Sequence, residues 1–89
     1  MQPDERNAAY LWDMLEAARE VVESTRDISF EHFMKNRVLM RATERSIEII
    51  GEAARHIRPE FITAHPQIPW RQIVGQRNIL AHEYAPDRP

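Results

Sequence analysis

Apolar residues recur at Ala8, Leu11, Trp12, Leu15, Ala18 and Val22, the three- and four-residue spacing that one face of an α-helix produces. The pattern predicts a helix over about 4–24, with Asp4 and Glu5 at the positive end of its dipole. The stretch "STRDIS" breaks the pattern, and Ser29 is placed to cap a short helical turn carrying Phe30 and Phe33. A second stripe, formed by Val38, Leu39, Ala42, Ile49, Ile50, Ala53 and Ile57, predicts a long helix over about 36–57. On another of its faces Glu44, Glu48 and Glu52 stand four residues apart, within reach of Arg41, Arg45 and Arg55; each such pair adds about 0.2–0.5 kcal/mol. Gly51 lies inside this helix, where it costs up to about 1 kcal/mol relative to alanine. That cost points to close approach of another backbone along Gly51-Glu52-Ala53-Ala54.

Prolines at 59, 66 and 69 cut the chain next, leaving "PEFITAH" a turn or two of helix. Pro69 suits the start of a last helix running from about Trp70 to Tyr84, which "APDRP" stops. There is no alternating β pattern, internal repeat or low-complexity tract. The expected architecture is all-α, a small antiparallel helical bundle of two long helices and a shorter third, filling residues 1–89 as one domain.

At about 100° per residue, Trp70, Val74, Arg77, Ala81 and Tyr84 fall within about 40° of one direction, with Ile73 and Leu80 beside them. Arg77 thus sits in the middle of an apolar stripe. A guanidinium there needs an anion, a cluster of acceptors or a wet cleft, because a buried unpaired charge is strongly unfavourable. Glu52 of the long helix is the candidate support, and a contact across a dimer interface is the alternative. His82 lies five positions on, about 140° around the helix, whereas Asn78 shares a face with it. For Arg77 and His82 to converge on one phosphate, the arginine must reach around, the helix must loosen near its end, or two copies must meet across a symmetric interface. An exposed Ile79 on the opposite face favours the last route.

Composition narrows the chemistry. A chain of 89 residues buries only about two thirds of its unfolded surface, so self-association is a plausible source of stability. With no cysteine, there is no disulfide framework or thiolate metal site, and His32, His56, His65 and His82 show neither HxxxH nor HExxH spacing. No metal and no cofactor are expected. His32 and His56 read as solvated helix residues, and His65, before Pro66, as a loop residue. Neither a G-x-S-x-G turn nor a glycine-rich phosphate loop is present, and no stretch approaches a membrane span. The expectation is a soluble cytoplasmic protein with no membrane partner. Trp12, Trp70, Phe30 and Phe33 are expected in the core rather than as base-stacking platforms.

Charge is uneven beneath a net of −2: residues 1–34 carry three basic and eight acidic groups, whereas residues 35–58 carry six basic and three acidic. The second segment can serve an anionic partner, although alternating signs also suit an ordinary solvated helix face. Histidine, with an unperturbed pKa of about 6.5, can accept or donate a proton at neutral pH. Arginine can grip a phosphate through two parallel hydrogen bonds and stabilise charge growing on it. Arg77 and His82, with Asn78 to orient the imidazole or donate to the substrate, suit metal-free cleavage of RNA by its own 2′-hydroxyl.

The segment "RNILAHEY" resembles the R-x4-H-x-Y signature of HepT-like ribonucleases, helical proteins of the HEPN superfamily. "ERSIEIIGEAARHI" is similar to that family's long second helix with its G-E-A-A segment, and "IPWRQIVGQRN" to the run into the catalytic helix; the likeness covers about Tyr10 to Tyr84. The resemblance implies that Arg77 and His82 form the catalytic pair, with Asn78 beside them, in a cleft shared by two subunits of a homodimer. It further implies an RNA-cleaving toxin, with tRNA among its candidate substrates, encoded with an MntA-type nucleotidyltransferase antitoxin that silences it by transferring AMP to the motif tyrosine, Tyr84. Family members continue past the motif into a further helix, so a chain ending at Pro89 is expected to lack that helix and to leave part of an apolar face uncovered. The competing readings are a non-catalytic HEPN module binding a nucleotide or a protein partner through Arg77, and a purely structural dimerisation bundle.

Overall fold

The computed structural model describes residues 3–83, with side chains from 4 to 79. Its elements are α1 (Pro3–Thr25), α2 (Phe30–Lys35), α3 (Arg37–Ala54), α4 (Pro59–Ala64) and α5 (Trp70–Glu83), with no strand among the described residues. The all-α expectation holds, and α3 is the central helix, packed against both α1 and α5.

Local chemistry sets the boundaries. Ser29 caps α2 by accepting from the His32 backbone N–H at 3.1 Å, and Asn36 caps α3 by accepting from the Leu39 N–H at 3.0 Å. The turn before α2 places Asp27 at φ 61°, a left-handed conformation that a short polar side chain tolerates. Helix α3 ends at Ala54, three residues before the expected end at Ile57. Pro59 at the head of α4 disfavours helical geometry at Arg58, which is extended (φ −64°, ψ 140°), so the chain leaves α3 through a tight turn instead. Arg58 then ties this turn to α1: its N–H donates to Asn7 Oδ1 at 2.9 Å and its guanidinium pairs with Asp4 at 2.7 Å.

The core lies at one end of the bundle. Ala54, Ile57 and Trp70 are buried there, packed by Tyr10, Leu11 and Met14 of α1, Phe61 and Ile62 of α4, Ile68, and Ile73 and Val74 of α5. Several residues expected in apolar stripes are instead exposed: Trp12 (57%), Leu15, Val22, Phe30 (77%) and Val38 (80%), together with Ala8 and Ala42. Two physical causes account for them. Helix α1 is apolar on two adjacent faces, and it turns the Leu11, Met14, Ala17 and Val21 side inward, leaving Trp12, Leu15 and Val22 outward. On α3, Val38 and Ala42 stand about 140° and 180° around the helix from Gly51, the residue that meets α5, so they point away from that neighbour. Phe33 is half-buried, and of the four aromatics expected in the core only Trp70 is buried there.

Gly51 is the point of closest approach between α3 and α5. A Cβ on Gly51 would collide with the Arg77 Cβ and stand 2.8 Å from its Cγ and 3.0 Å from the Ile73 carbonyl oxygen. The close backbone approach expected at Gly51-Glu52-Ala53-Ala54 is therefore present, with Gly51, Ala53 and Ala54 all buried. Gly51→Ala should be less stable than wild type in urea unfolding, since overpacking of about 1–3 kcal/mol outweighs a helix-propensity gain of at most about 1 kcal/mol. A more stable variant would show that α5 can shift outward freely.

Candidate active site

Trp70 fixes the first turn of α5. Its indole N–H donates to the His65 carbonyl at 3.0 Å, and its ring meets Phe61 edge-on at 6.1 Å. His65 is held in turn by stacking on Phe61 at 4.1 Å and by donation from Nδ1 to the Phe61 carbonyl at 2.9 Å. With its start pinned, α5 presents Arg77 to α3 two turns later, where Gly51 leaves room for the arginine stem.

The guanidinium emerges at Glu52, and the expected support is present: Arg77 Nη2 lies 2.9 Å from Glu52 Oε2. Nη1 donates to Asn78 Oδ1 at 3.2 Å, so the amide of Asn78 faces the arginine. Glu52 is shared. Its Oε2 also meets Arg55 Nη1 at 3.2 Å, while Oε1 accepts from His56 Nε2 at 3.3 Å. The imidazole of His56 stacks on Tyr10 of α1, centroids 4.8 Å apart and planes within 17°. The His56 hydrogen bond, followed by the charges of Arg77 and Arg55, holds the Glu52 carboxyl below the usual carboxylate range, against partial burial that pushes the other way.

Arg77, Glu52 and Tyr10 border a groove of about 210 Å³ between α1, α3 and α5, whose walls also include Asp13, Arg45 and Glu48. The Arg77 side chain keeps 27% of its surface exposed, so it is neither sealed in the core nor free in solvent. Two of its N–H groups are engaged by Glu52 and Asn78, which leaves the rest of the fork available to an anion entering the groove.

Helix α5 continues without a break through Glu83, so the helix is not loosened between Arg77 and His82. That leaves the reach of the arginine or a second copy as the routes to convergence. The side chain of His82, and Tyr84 altogether, lie outside the described residues. Ile79 is exposed, as expected of the face opposite the stripe. His56, read from the sequence as a solvated residue, proves to be exposed but engaged. Its four-residue spacing from Glu52 carries that signal, whereas its stacking on Tyr10, 46 positions away, leaves no trace in local pattern.

A helical bundle that offers an arginine at a groove, on a helix continuing to a histidine five residues later, is an arrangement suited to holding a phosphate. The sequence profile described as "Ribonuclease HepT-like" matches residues 14–86, and the chain belongs to that family. Curated relatives agree. A protein of Methanocaldococcus jannaschii named "Putative RNase MJ1380" is 46% identical over 85% of this chain and 70% of its own length. "Putative RNase TTE0752" of Caldanaerobacter subterraneus subsp. tengcongensis is 45% identical over 84% of this chain and 67% of its own. "Probable ribonuclease HepT" of Thermococcus cleftensis is 43% identical over 84% and 68%. No solved structure matches the chain.

The Glu52 network has a pH signature. Because the folded-state pKa is depressed, the carboxylate's contribution to stability is complete above the ordinary glutamate value of about 4.3 and is lost as pH falls through the lowered folded value. Wild type should therefore be more stable than Glu52→Gln in urea at neutral pH, and the two should converge in acid. A difference that persists unchanged into acid would mean that Glu52 acts there by packing rather than charge.

Proposed function

We propose that this chain is a metal-independent endoribonuclease toxin in which Arg77, His82 and Asn78 carry the chemistry. The observation that supports this reading most is the placement of Arg77: an arginine is brought into the bundle, held by Glu52 and left part-exposed at a groove rather than sealed in an ion pair. Arg77 binds the scissile phosphate and stabilises the charge that grows on its oxygens. His82 takes the proton of the 2′-hydroxyl as that oxygen attacks phosphorus, and a proton returns to the departing 5′-oxygen. The products are a 2′,3′-cyclic phosphate and a 5′-hydroxyl. DNA, without the 2′-hydroxyl, is spared.

The site is completed by a second copy of the chain. A homodimer offers a way past the roughly 140° between Arg77 and His82 on one helix, because one subunit's arginine can meet the other's histidine. Regulation is assigned to Tyr84, as the acceptor of AMP from an MntA-type nucleotidyltransferase antitoxin. An AMP group there places a bulky anion near the phosphate site and competes with RNA for Arg77.

Purified tRNA in EDTA tests the reading, with folding of each protein checked by circular dichroism. Wild type should cleave, and His82→Ala should lose about 10²–10⁴-fold in rate. Tyr84→Phe should keep cleavage but escape the antitoxin. Equal cleavage by wild type and His82→Ala would overturn the assignment, and no cleavage by folded wild type would turn the chain into a binding module.

A further inference from the structure

The site groove does not end at Arg77. Two further hollows follow it along the exposed face of α3: one of about 260 Å³ lined by Arg41, Glu44, Arg45 and Glu48, and one of about 460 Å³ lined by Met34, Lys35, Arg37, Met40, Arg41 and Glu44. Neighbouring hollows share walls. Arg45 and Glu48 border both the site groove and the middle hollow, and Arg41 and Glu44 border both the middle and the outer one. The three hollows thus form a row along one side of α3, spanning about 22 Å from the level of Arg37 to that of Glu52 at a rise of about 1.5 Å per residue.

Along it Arg37, Arg41 and Arg45 recur at four-residue intervals, one above another about 6 Å apart. All three are exposed, whereas Glu44 and Glu48 are half-buried beneath them. Arg45 already pairs with Glu48 at 3.5 Å, but among the described residues Arg37 and Arg41 have no hydrogen-bond or ion-pair partner. Arg19, Arg55, Arg58 and Arg77 are paired, whereas Arg26 and Arg71, like Arg37 and Arg41, have no such partner among the described residues; what sets Arg37 and Arg41 apart is that they line adjoining hollows on one side of α3. At the outer end Phe30 is 77% exposed and stands one helical turn before Met34, which lines the outer hollow. An exposed aromatic ring one turn from a hollow lined by unpaired cations is a combination that suits single-stranded nucleic acid, through phosphate contacts and base stacking.

We propose that this row of adjoining hollows is the path of a single-stranded RNA segment leading into the active site. Arg37, Arg41 and Arg45 follow successive phosphates, and Phe30 stacks on a base at the far end. The direction suits the site, because α5 runs antiparallel to α3, from Trp70 beside Ile57 to Arg77 beside Gly51. Its last turns, which carry His82, therefore head back toward Arg45 and Arg41. The path rests on the ribonuclease reading and adds to it where the substrate lies. It reads charge rather than sequence, so single-stranded DNA binds it too without being cut.

The test uses the full chain carrying His82→Ala and a fluorescein-labelled single-stranded RNA, with anisotropy titrations across a range of KCl concentrations. Adding Arg37→Gln and Arg41→Gln should weaken binding and flatten the plot of log affinity against log salt by about 1.4, or about 0.7 for each phosphate that is no longer neutralised. Glu44→Gln should tighten binding. Arg26→Gln together with Arg71→Gln, an equal change of two charges at exposed positions away from this side of α3, should leave the slope as it was. If wild type cleaves RNA in EDTA while the Arg37 and Arg41 double variant keeps the unaltered slope, the path is wrong and the ribonuclease reading stands. If wild type neither binds nor cleaves RNA, both fall. A double variant that binds RNA normally but is no longer neutralised by its antitoxin would assign the stripe to a protein partner, and would overturn the path.

Discussion

Arg77 enters the bundle where α3 offers no side chain, so that its stem lies against the backbone at Gly51 and its charged end emerges beside Glu52. This contact sets the separation of α3 and α5. It also sets the rotation of α5, because Trp70 pins one end of the helix and Arg77 pins it again two turns later. A larger residue at position 51 would force the two helices apart and move the arginine away from its carboxylate. The same placement keeps the desolvation of the guanidinium small, since it stops at the edge of the groove rather than in the core.

From Glu52 the arrangement spreads outward. One carboxylate oxygen meets Arg77 and Arg55, and the other meets His56, whose ring lies against Tyr10 of α1. All three long elements of the bundle thus contribute to the position of one guanidinium. An exposed ion pair alone contributes little to stability, but a shared carboxylate limits the orientations open to the arginine. That restriction is useful where a planar fork has to meet a phosphate in one geometry.

The fold is largely legible in the sequence because helical periodicity, caps and prolines act locally. Ser29 and the "RP" at 58–59 mark boundaries that the structure keeps, and a glycine inside a helix at position 51 signals a close approach without naming the partner. Orientation is harder to read. Helix α1 offers apolar residues on two neighbouring faces, so periodicity alone does not tell which face turns inward, and Trp12, Leu15 and Val22 lie outward. At the site, the Arg77–Glu52 pair follows from the need of a charge in an apolar stripe for a partner. His56 and Tyr10 depend on contacts between distant segments, which leave no local pattern. The exposed Val38 and Ala42 near the start of α3 have the same origin: a stripe records apolar spacing, not which side of the helix a neighbour meets.

The central claim is that Arg77 acts on phosphate rather than serving the fold, and Arg77→Lys separates the two. Lysine keeps the charge and can still pair with Glu52, but it lacks the planar fork that grips a phosphate through two bonds. RNA cleavage in EDTA and urea unfolding would be measured on the same preparations of wild type and Arg77→Lys. The expected result is near wild-type stability with cleavage reduced at least about tenfold, the factor that about 1.4 kcal/mol of lost transition-state stabilisation produces. Cleavage at the wild-type rate by the folded variant would contradict the claim.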